Sequence, residues 1–341
     1  MGHRDITVVI EKNIPFIKGI PDPFVNAQYL APEEITRETL MEADALITRT
    51  RTKCDSRLLD GTRCRFIATA TIGTDHIDLD YCRDNGVTVR NAPGCNAPAV
   101  AQYVFAAIAR LCGATSRPAT DMTLGIVGVG HVGTIVERWA RQLGMKVLLC
   151  DPPRAEKEDA SKFCDLADIA CECDIITFHT PFTRQGNHPT YHLLNREIVN
   201  TLEKQPMVIN SARGPVTDTD ALLYGLNSGK ISRAVIDCWE NEPAISPELL
   251  QKAFIATPHI AGYSREGKIR ATQIALNAFA EHFGLPEMRL PMQVPDGAAE
   301  NVTMESIMAS YDPMTDTNAL KSAPADFEAL RNHYNLRDEV R

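Results

Sequence analysis

Residues 123–144 read TLGIVGVGHVGTIVERWARQLG. An apolar, β-branched run leads into Gly128-Val129-Gly130-His131-Val132-Gly133, and a helix-like stretch (136–144) follows. Few features constrain a fold as strongly as a strand, a G-x-G-x-x-G turn and a helix in that order. Gly128 permits the tight turn, Gly130 lets the backbone approach a diphosphate, and Gly133 allows the helix to pack closely on the strand. With Val132 between them, these are candidate cofactor-binding positions. The helix N-terminus adds unpaired N–H groups and the positive end of its dipole. The next strand, KVLLCDPP (146–153), ends in Asp151, at the spacing of about 20 residues where a carboxylate meets a ribose diol. A 2′-phosphate would be repelled there, so the pattern favours NAD over NADP, a preference that Arg154 close by tempers.

The alternation continues on both sides of this unit. Upstream, strand-like runs at 6–10, 43–50, 64–73 and 86–94 alternate with helix-like stretches at 32–43 and 55–61. Downstream, strands are expected at 173–181, 205–214, 233–243 and 253–263, and one long helix at 264–284, stopped by Gly284 and followed by Pro286. Alternating strands and helices imply parallel β-α units. The expected fold class is α/β. A Rossmann-type doubly wound domain spans 96–263, opened by the apolar stretch NAPAVAQYVFAAIARL (96–111). A smaller α/β substrate domain spans 1–95 and 264–286. Residues 287–341 read as an irregular tail, except for DFEALRNHYNLRDE (326–339), where Phe327, Leu330 and Tyr334 form a helical apolar stripe.

Composition narrows the function classes. The chain has 341 residues, enough for about two domains. A net charge of -9 argues against general binding to nucleic acid or a membrane surface. No run approaches the about 18 apolar residues of a membrane span, and the start lacks the apolar region of a signal peptide. The ten cysteines form no C-x-x-C pair and no paired zinc spacing, so they read as reduced thiols of a cytoplasmic protein, with no metal site expected.

Three later strand ends carry reactive groups: Arg213 in INSARG, Glu242 in DCWENEP (with Asp237 before it) and His259 in TPHIAG. In a doubly wound sheet, strand C-termini face the ligand. A histidine can exchange a hydroxyl proton near neutral pH. A carboxylate beside it fixes the tautomer and stabilises the imidazolium. A guanidinium can bind a carboxylate through two hydrogen bonds. The set suits oxidation of a 2-hydroxy acid, with His259 as acid/base, Glu242 as its partner and Arg213 as substrate anchor.

At these motifs the sequence resembles the D-2-hydroxyacid dehydrogenases, across nearly all of residues 5–285. TRTRTK, TATIGTDHID, NAPGCNAPAVAQYVF, LLCDPPR and PHIAGYSREGK resemble a branch that oxidises a four-carbon phosphorylated hydroxy acid in bacterial pyridoxal 5′-phosphate synthesis. The resemblance implies a flavodoxin-like substrate domain, a C-terminal dimerisation segment (287–341) and a homodimer. It implies substrate contacts at Thr50, Thr71 and Tyr263. Cofactor contacts are implied at Asp151, Thr180, Ser211, Ala212, Arg213, Asp237 and Gly262. The basic run adds Arg49 as a substrate contact, since Arg49, Arg51 and Lys53 point one way if the strand stays extended. Gln102 stands where many relatives have Glu. The tail is short for the enzymes resembled. Its apolar stripe is expected to dock across a two-fold interface, with Arg331 or Arg337 reaching the neighbouring cleft. Two alternatives stay open: another dehydrogenase with the same triad, such as a D-3-phosphoglycerate dehydrogenase, and a non-catalytic NAD(H)-sensing protein.

Overall fold

A computed structural model describes residues 6–295 and 297–341. The chain divides into two compact units, Met1–Asn96 with Arg265–Asp296, and Ala97–Ser264 with Gly297–Arg341.

The first unit holds β1 (Thr7–Glu11), β2 (Asn26–Leu30), β3 (Ala45–Thr48), β4 (Phe66–Thr69) and β5 (Thr88–Arg90), all parallel, in the order β2-β1-β3-β4-β5. This is the flavodoxin-like order. Alternate residues feed opposite faces, as a pleated strand dictates. Val8 and Ile10 join one apolar cluster with Phe279 of the helix Arg265–Phe283, and Val9 joins another with Leu40 and Leu58. β2 carries no signal in the sequence. It is an edge strand, NAQYL, with no fully buried residue, so it lacks the continuous apolar run of a covered parallel strand.

The second unit holds β6 (Thr123–Val127), β7 (Lys146–Cys150), β8 (Ile175–Phe178), β9 (Met207–Asn210), β10 (Arg233–Ile236) and β11 (Ile255–Ala256), again all parallel, ordered β11-β10-β9-β8-β6-β7. From β6 the chain goes first to one side (β7) and then to the other (β8). The C-terminal ends of β6 and β8 therefore form the switch point at which such sheets bind ligands. Ile126, Ile175 and Val235 pack on one face, and Val127, Ile176 and Ile236 on the other.

Three expectations are corrected. The helix Ala97–Thr115 is long and apolar enough to span a membrane, which the sequence reading missed; 72% of its apolar window is buried within the protein, as a core helix requires. The helix after the glycine turn is His131–Gln142 and starts well before residue 136, because Gly133 packs inside its first turn. The tail is not irregular. Met304–Ser310, Pro313–Ser322 and Phe327–Asn332 are helices, capped at their start by Thr303 and Asp312 in the first two, and Gly297–Arg341 belongs to the second unit. The last helix stops at Asn332, and Arg337 instead forms a parallel bridge with Ser264. Phe327 is 1% exposed and belongs to one apolar cluster with Leu320 and Leu249, so this part of the stripe is buried on its own chain.

Candidate active site

Glycines shape the turn after β6. Gly128 has φ +89°, a conformation that costs glycine little, and a Cβ there would press on the backbone of Thr180 at 2.8 Å. A Cβ on Gly133 would overlap the carbonyl of Gly128, whereas one on Gly130 would meet nothing within 4 Å. Gly130 caps the helix His131–Gln142, with partly buried Val132 in its first turn. The turn thus presents helix N–H groups over open space, as a diphosphate requires. At the end of β7, Asp151 accepts from Val129 N (2.7 Å) and caps a short helix through Arg154 N (3.1 Å). The Arg154 guanidinium is held by both oxygens of Glu158, at 2.8 Å each, and by the Val129 carbonyl at 2.6 Å. It is neutralised and turned from the role of a 2′-phosphate clamp, which removes the objection to NAD.

The Thr180 and Ser211 hydroxyls, beyond the ends of β8 and β9, are buried without a hydrogen-bond partner among the described residues. A buried orphan costs free energy unless a ligand or water meets it. Two orphans at neighbouring strand ends of the switch-point side fit a bound cofactor.

At the end of β9, Asn210 ties the chain back on itself. Its Nδ2 donates to the Arg213 carbonyl (3.0 Å) and to Thr217 Oγ1 (2.9 Å), and its Oδ1 accepts from Ala212 N (3.2 Å). Arg213 is thereby set in extended backbone, with Nη1 on the Ala212 carbonyl. A Cβ on Gly214 would overlap the Trp239 carbonyl, so only glycine lets the Arg213 segment lie against the Glu242 segment.

His259 Nδ1 lies 2.9 Å from Glu242 Oε2. An ionised carboxylate only accepts, so Nδ1 carries the proton and Nε2 remains for chemistry. Glu242 Oε1 accepts from Trp239 N at 2.8 Å. Burial pushes the Glu242 carboxyl up, but the hydrogen bond and charge of His259, the Trp239 N–H and the Arg331 charge outweigh it and hold it below its usual value. His259 has φ +56°, an uncommon conformation for a residue with a Cβ. Asp237, 1% exposed, holds it there. Its carboxylate accepts from Thr257 Oγ1 (2.6 Å), Ile260 N (2.8 Å) and Ala261 N (3.0 Å), and its carbonyl accepts from His259 N (2.9 Å). Desolvation raises the Asp237 carboxyl despite these donors. Its visible work is to brace the turn that carries Gly262 and Tyr263.

Cys238 has its sulfur close to Glu242 and His259, and His192, Asp218 and Glu240 form a second group with ligand atoms within 4.8 Å of one another. Burial pushes the Cys238 thiol well up, which leaves it a poor metal ligand. His192 Nε2 is already paired with Glu240 at 2.7 Å.

In the first unit the strand-end residues are arranged differently from the sequence reading. β3 ends at Thr48 and residues 50 and 51 turn, so alternation does not align Arg49, Arg51 and Lys53. Buried Glu11 organises that turn, accepting from Thr48 Oγ1 (3.0 Å), Arg49 N (2.9 Å) and Thr52 Oγ1 (3.2 Å). Arg49 Nη1 reaches the Asn13 carbonyl, Lys53 pairs with Asp55, and Thr50 is exposed. Thr71 bonds to Thr69 Oγ1 at 2.7 Å and to the Gly73 carbonyl at 2.9 Å.

Residues 108–261 match the NAD binding domain of the D-isomer specific 2-hydroxyacid dehydrogenases. Over 336 residues, covering 97% of both chains, the sequence is 45% identical to an erythronate-4-phosphate dehydrogenase of Bacteroides thetaiotaomicron. This chain belongs to the D-isomer-specific 2-hydroxyacid dehydrogenases. Among solved structures, a D-lactate dehydrogenase of Aquifex aeolicus complexed with NAD and lactic acid is 25% identical, with a TM-score of 0.66 over 82% of this chain and 96% of that one. A cofactor-bound 3-phosphoglycerate dehydrogenase of Entamoeba histolytica, 23% identical, shares the fold with a TM-score of 0.69 over 86% of this chain and 99% of that one. The chain is accordingly an NAD-dependent oxidoreductase acting on a hydroxy acid.

Several residues that shape this site escaped the sequence reading. Asn210 precedes the SARG motif and Gly214 closes it, and both could have been found by asking what sets Arg213. Tyr103, whose hydroxyl lies 2.8 Å from Thr257 Oγ1, and Arg337 come from remote parts of the chain and leave no local signal. Gln102 now has a role. Its Oε1 accepts from Arg337 Nε, while its Nε2 donates to Ser310 Oγ (2.7 Å) and to the Asp338 carbonyl (3.1 Å). A glutamate could not donate both bonds.

Proposed function

We propose that the chain oxidises 4-phospho-D-erythronate at C2 to (R)-3-hydroxy-2-oxo-4-phosphooxybutanoate, a step toward pyridoxal 5′-phosphate. The carrying observation is the His259–Glu242 pair at 2.9 Å, and the substrate choice follows the relative that is 45% identical over 97% of the chain. His259 Nε2 takes the hydroxyl proton as the C2–H bond breaks, and Glu242 stabilises the imidazolium that forms. Arg213 binds the carboxylate and polarises the reacting C–O bond. NAD, when bound, accepts the hydride. Gly128, Gly130, Val132 and Gly133 would hold its diphosphate, and Asp151 its ribose. Thr180, Ser211, Ala212, Arg213, Asp237 and Gly262 would complete its site, Asp237 also bracing the turn. Tyr263, Thr50, Thr71 and Arg49 are the proposed substrate contacts. The second unit is then the NAD-binding domain and the first the substrate domain. A homodimer and a cytoplasmic location belong to the same proposal, the latter supported by ten free thiols.

The test is to incubate purified protein with NAD, a 2-oxo acid as oxidant and 4-phosphoerythronate, and to identify both products. Turnover of D-3-phosphoglycerate in its place would move the substrate assignment. NADH binding without turnover of any phosphorylated hydroxy acid would favour a sensing role.

A further inference from the structure

Two arginines of the C-terminal tail enter the second unit, and they are used in opposite ways. Arg337 is 8% exposed and spends its donors on the chain itself: the carbonyls of Ala99, Ile260, Ala261 and Tyr263, Gln102 Oε1 and Tyr334 Oη, with its Cζ 4.3 Å from the centroid of the Tyr311 ring. Arg331 stands beside the His259–Glu242 pair and is held loosely. Its Nε reaches Tyr263 Oη at 3.4 Å. Its Nη1 lies 3.9 Å from Glu242 Oε2 and 3.7 Å from Glu328 Oε1, both beyond hydrogen-bond distance, and its side chain is 21% exposed. Among the described residues no hydrogen bond reaches Nη1 or Nη2.

A guanidinium is costly to desolvate and is normally saturated when half-buried. One with spare donors, joined to Tyr263 and facing the catalytic carboxylate, is built to receive another oxyanion. We infer that Arg331, contributed in cis by the chain's own tail, binds the second anionic group of the substrate, the phosphate, and so sets specificity for phosphorylated 2-hydroxy acids. The inference rests on the proposed function, in which Arg213 already takes the carboxylate and a second cation is needed for the phosphate. A planar fork suits phosphate bidentately, where lysine would offer only a point charge.

The test compares Arg331→Met and Arg331→Lys with the wild type on 4-phosphoerythronate and on D-erythronate, and measures competitive inhibition by inorganic phosphate. The expected result for Arg331→Met is a loss of about 10²-fold in kcat/KM on the phosphorylated acid, carried by KM. Turnover of D-erythronate should fall far less, since there only the Arg331 charge beside Glu242 is lost, phosphate inhibition should weaken in parallel, and Arg331→Lys should recover part of the loss. An equal fall on both acids, carried by kcat, would show that Arg331 acts on Glu242 and would overturn the inference. Should the wild type turn over D-3-phosphoglycerate instead, the proposed substrate fails. The same comparison on D-3-phosphoglycerate and D-glycerate then decides the role of Arg331, with phosphate inhibition as the readout independent of substrate identity.

Discussion

Gly214 lies so close to Trp239 that a Cβ on the glycine would overlap the tryptophan carbonyl. The contact joins the segment bearing Arg213 to the segment bearing Glu242. Neither backbone can shift without moving Arg213 or Glu242, the side chains proposed to act on the substrate. Gly214→Ala should destabilise the protein by about 1–3 kcal/mol, the usual cost of forcing extra volume into a packed site. It should also lower kcat in the surviving folded protein. Urea denaturation with steady-state kinetics checks both; unchanged kcat in a stable variant would mean that the contact does not set the site.

His259→Ala should lower kcat by about 10²–10⁴-fold, the worth of a positioned general base. Binding of NAD, measured by calorimetry, should stay near that of the wild type, since the glycine turn lies elsewhere on the sheet. Near-normal turnover would reject the assignment.

Asp151→Ala should weaken NAD and narrow the gap to NADP. The structure adds a condition. Arg154 is held by Glu158, so the single variant should not prefer NADP, whereas Asp151→Ala with Glu158→Ala frees the guanidinium and should shift preference further. Kd values for both cofactors on both variants decide.

The Glu242 carboxyl is held below its ordinary 4.5 in the folded state. A depressed acid contributes stability that is full above its unfolded value and is lost as the pH falls through its folded value. The stability gap between wild type and Glu242→Gln should therefore be widest above about pH 4.5 and should shrink below it. Asp237 works in the opposite sense, because burial raises its carboxyl and its contribution falls as the pH climbs through the shifted range. Urea titrations from neutral pH downward would show a gap that widens in acid if the Glu242 argument is wrong.

Phe327 is buried with Leu320 against the second unit's own core. Phe327→Ala should cost about 3–5 kcal/mol. Deleting residues 297–341 should unfold the second unit rather than release an intact NAD-binding monomer. Circular dichroism and light scattering on the truncated chain are the measurements. A folded, NAD-binding product would show the tail to be dispensable.

Local chemistry made much of this protein legible in its residues. The strand–glycine–helix order, the acidic end of β7 and the Arg213, Glu242 and His259 strand ends are each dictated within a few residues, by φ angles, close approach and the direction of a parallel strand. Periodicity marked the covered strands because both their faces are apolar. It could not mark β2, a half-exposed edge strand whose place depends on its neighbour β1. Other features were decided only by tertiary structure. Asp237 stands at a strand end, as a cofactor contact would, and the fold also sets its carboxylate beneath the His259 turn, where three donors converge from residues 257–261. The run from Arg49 to Lys53 looked like an extended basic edge until buried Glu11, some forty positions earlier, bent it. The tail looked detachable because its short helices are marginal alone. They persist by burying Ile307, Leu320 and Phe327, and no local pattern announces that Arg337 will meet the carbonyls of residues 260–263 or that Arg331 will stand beside Glu242. Hydrogen bonds between residues 70 to 240 positions apart depend on the whole chain having folded, and that dependence is what separates the tail's two arginines from the motifs that could be read directly.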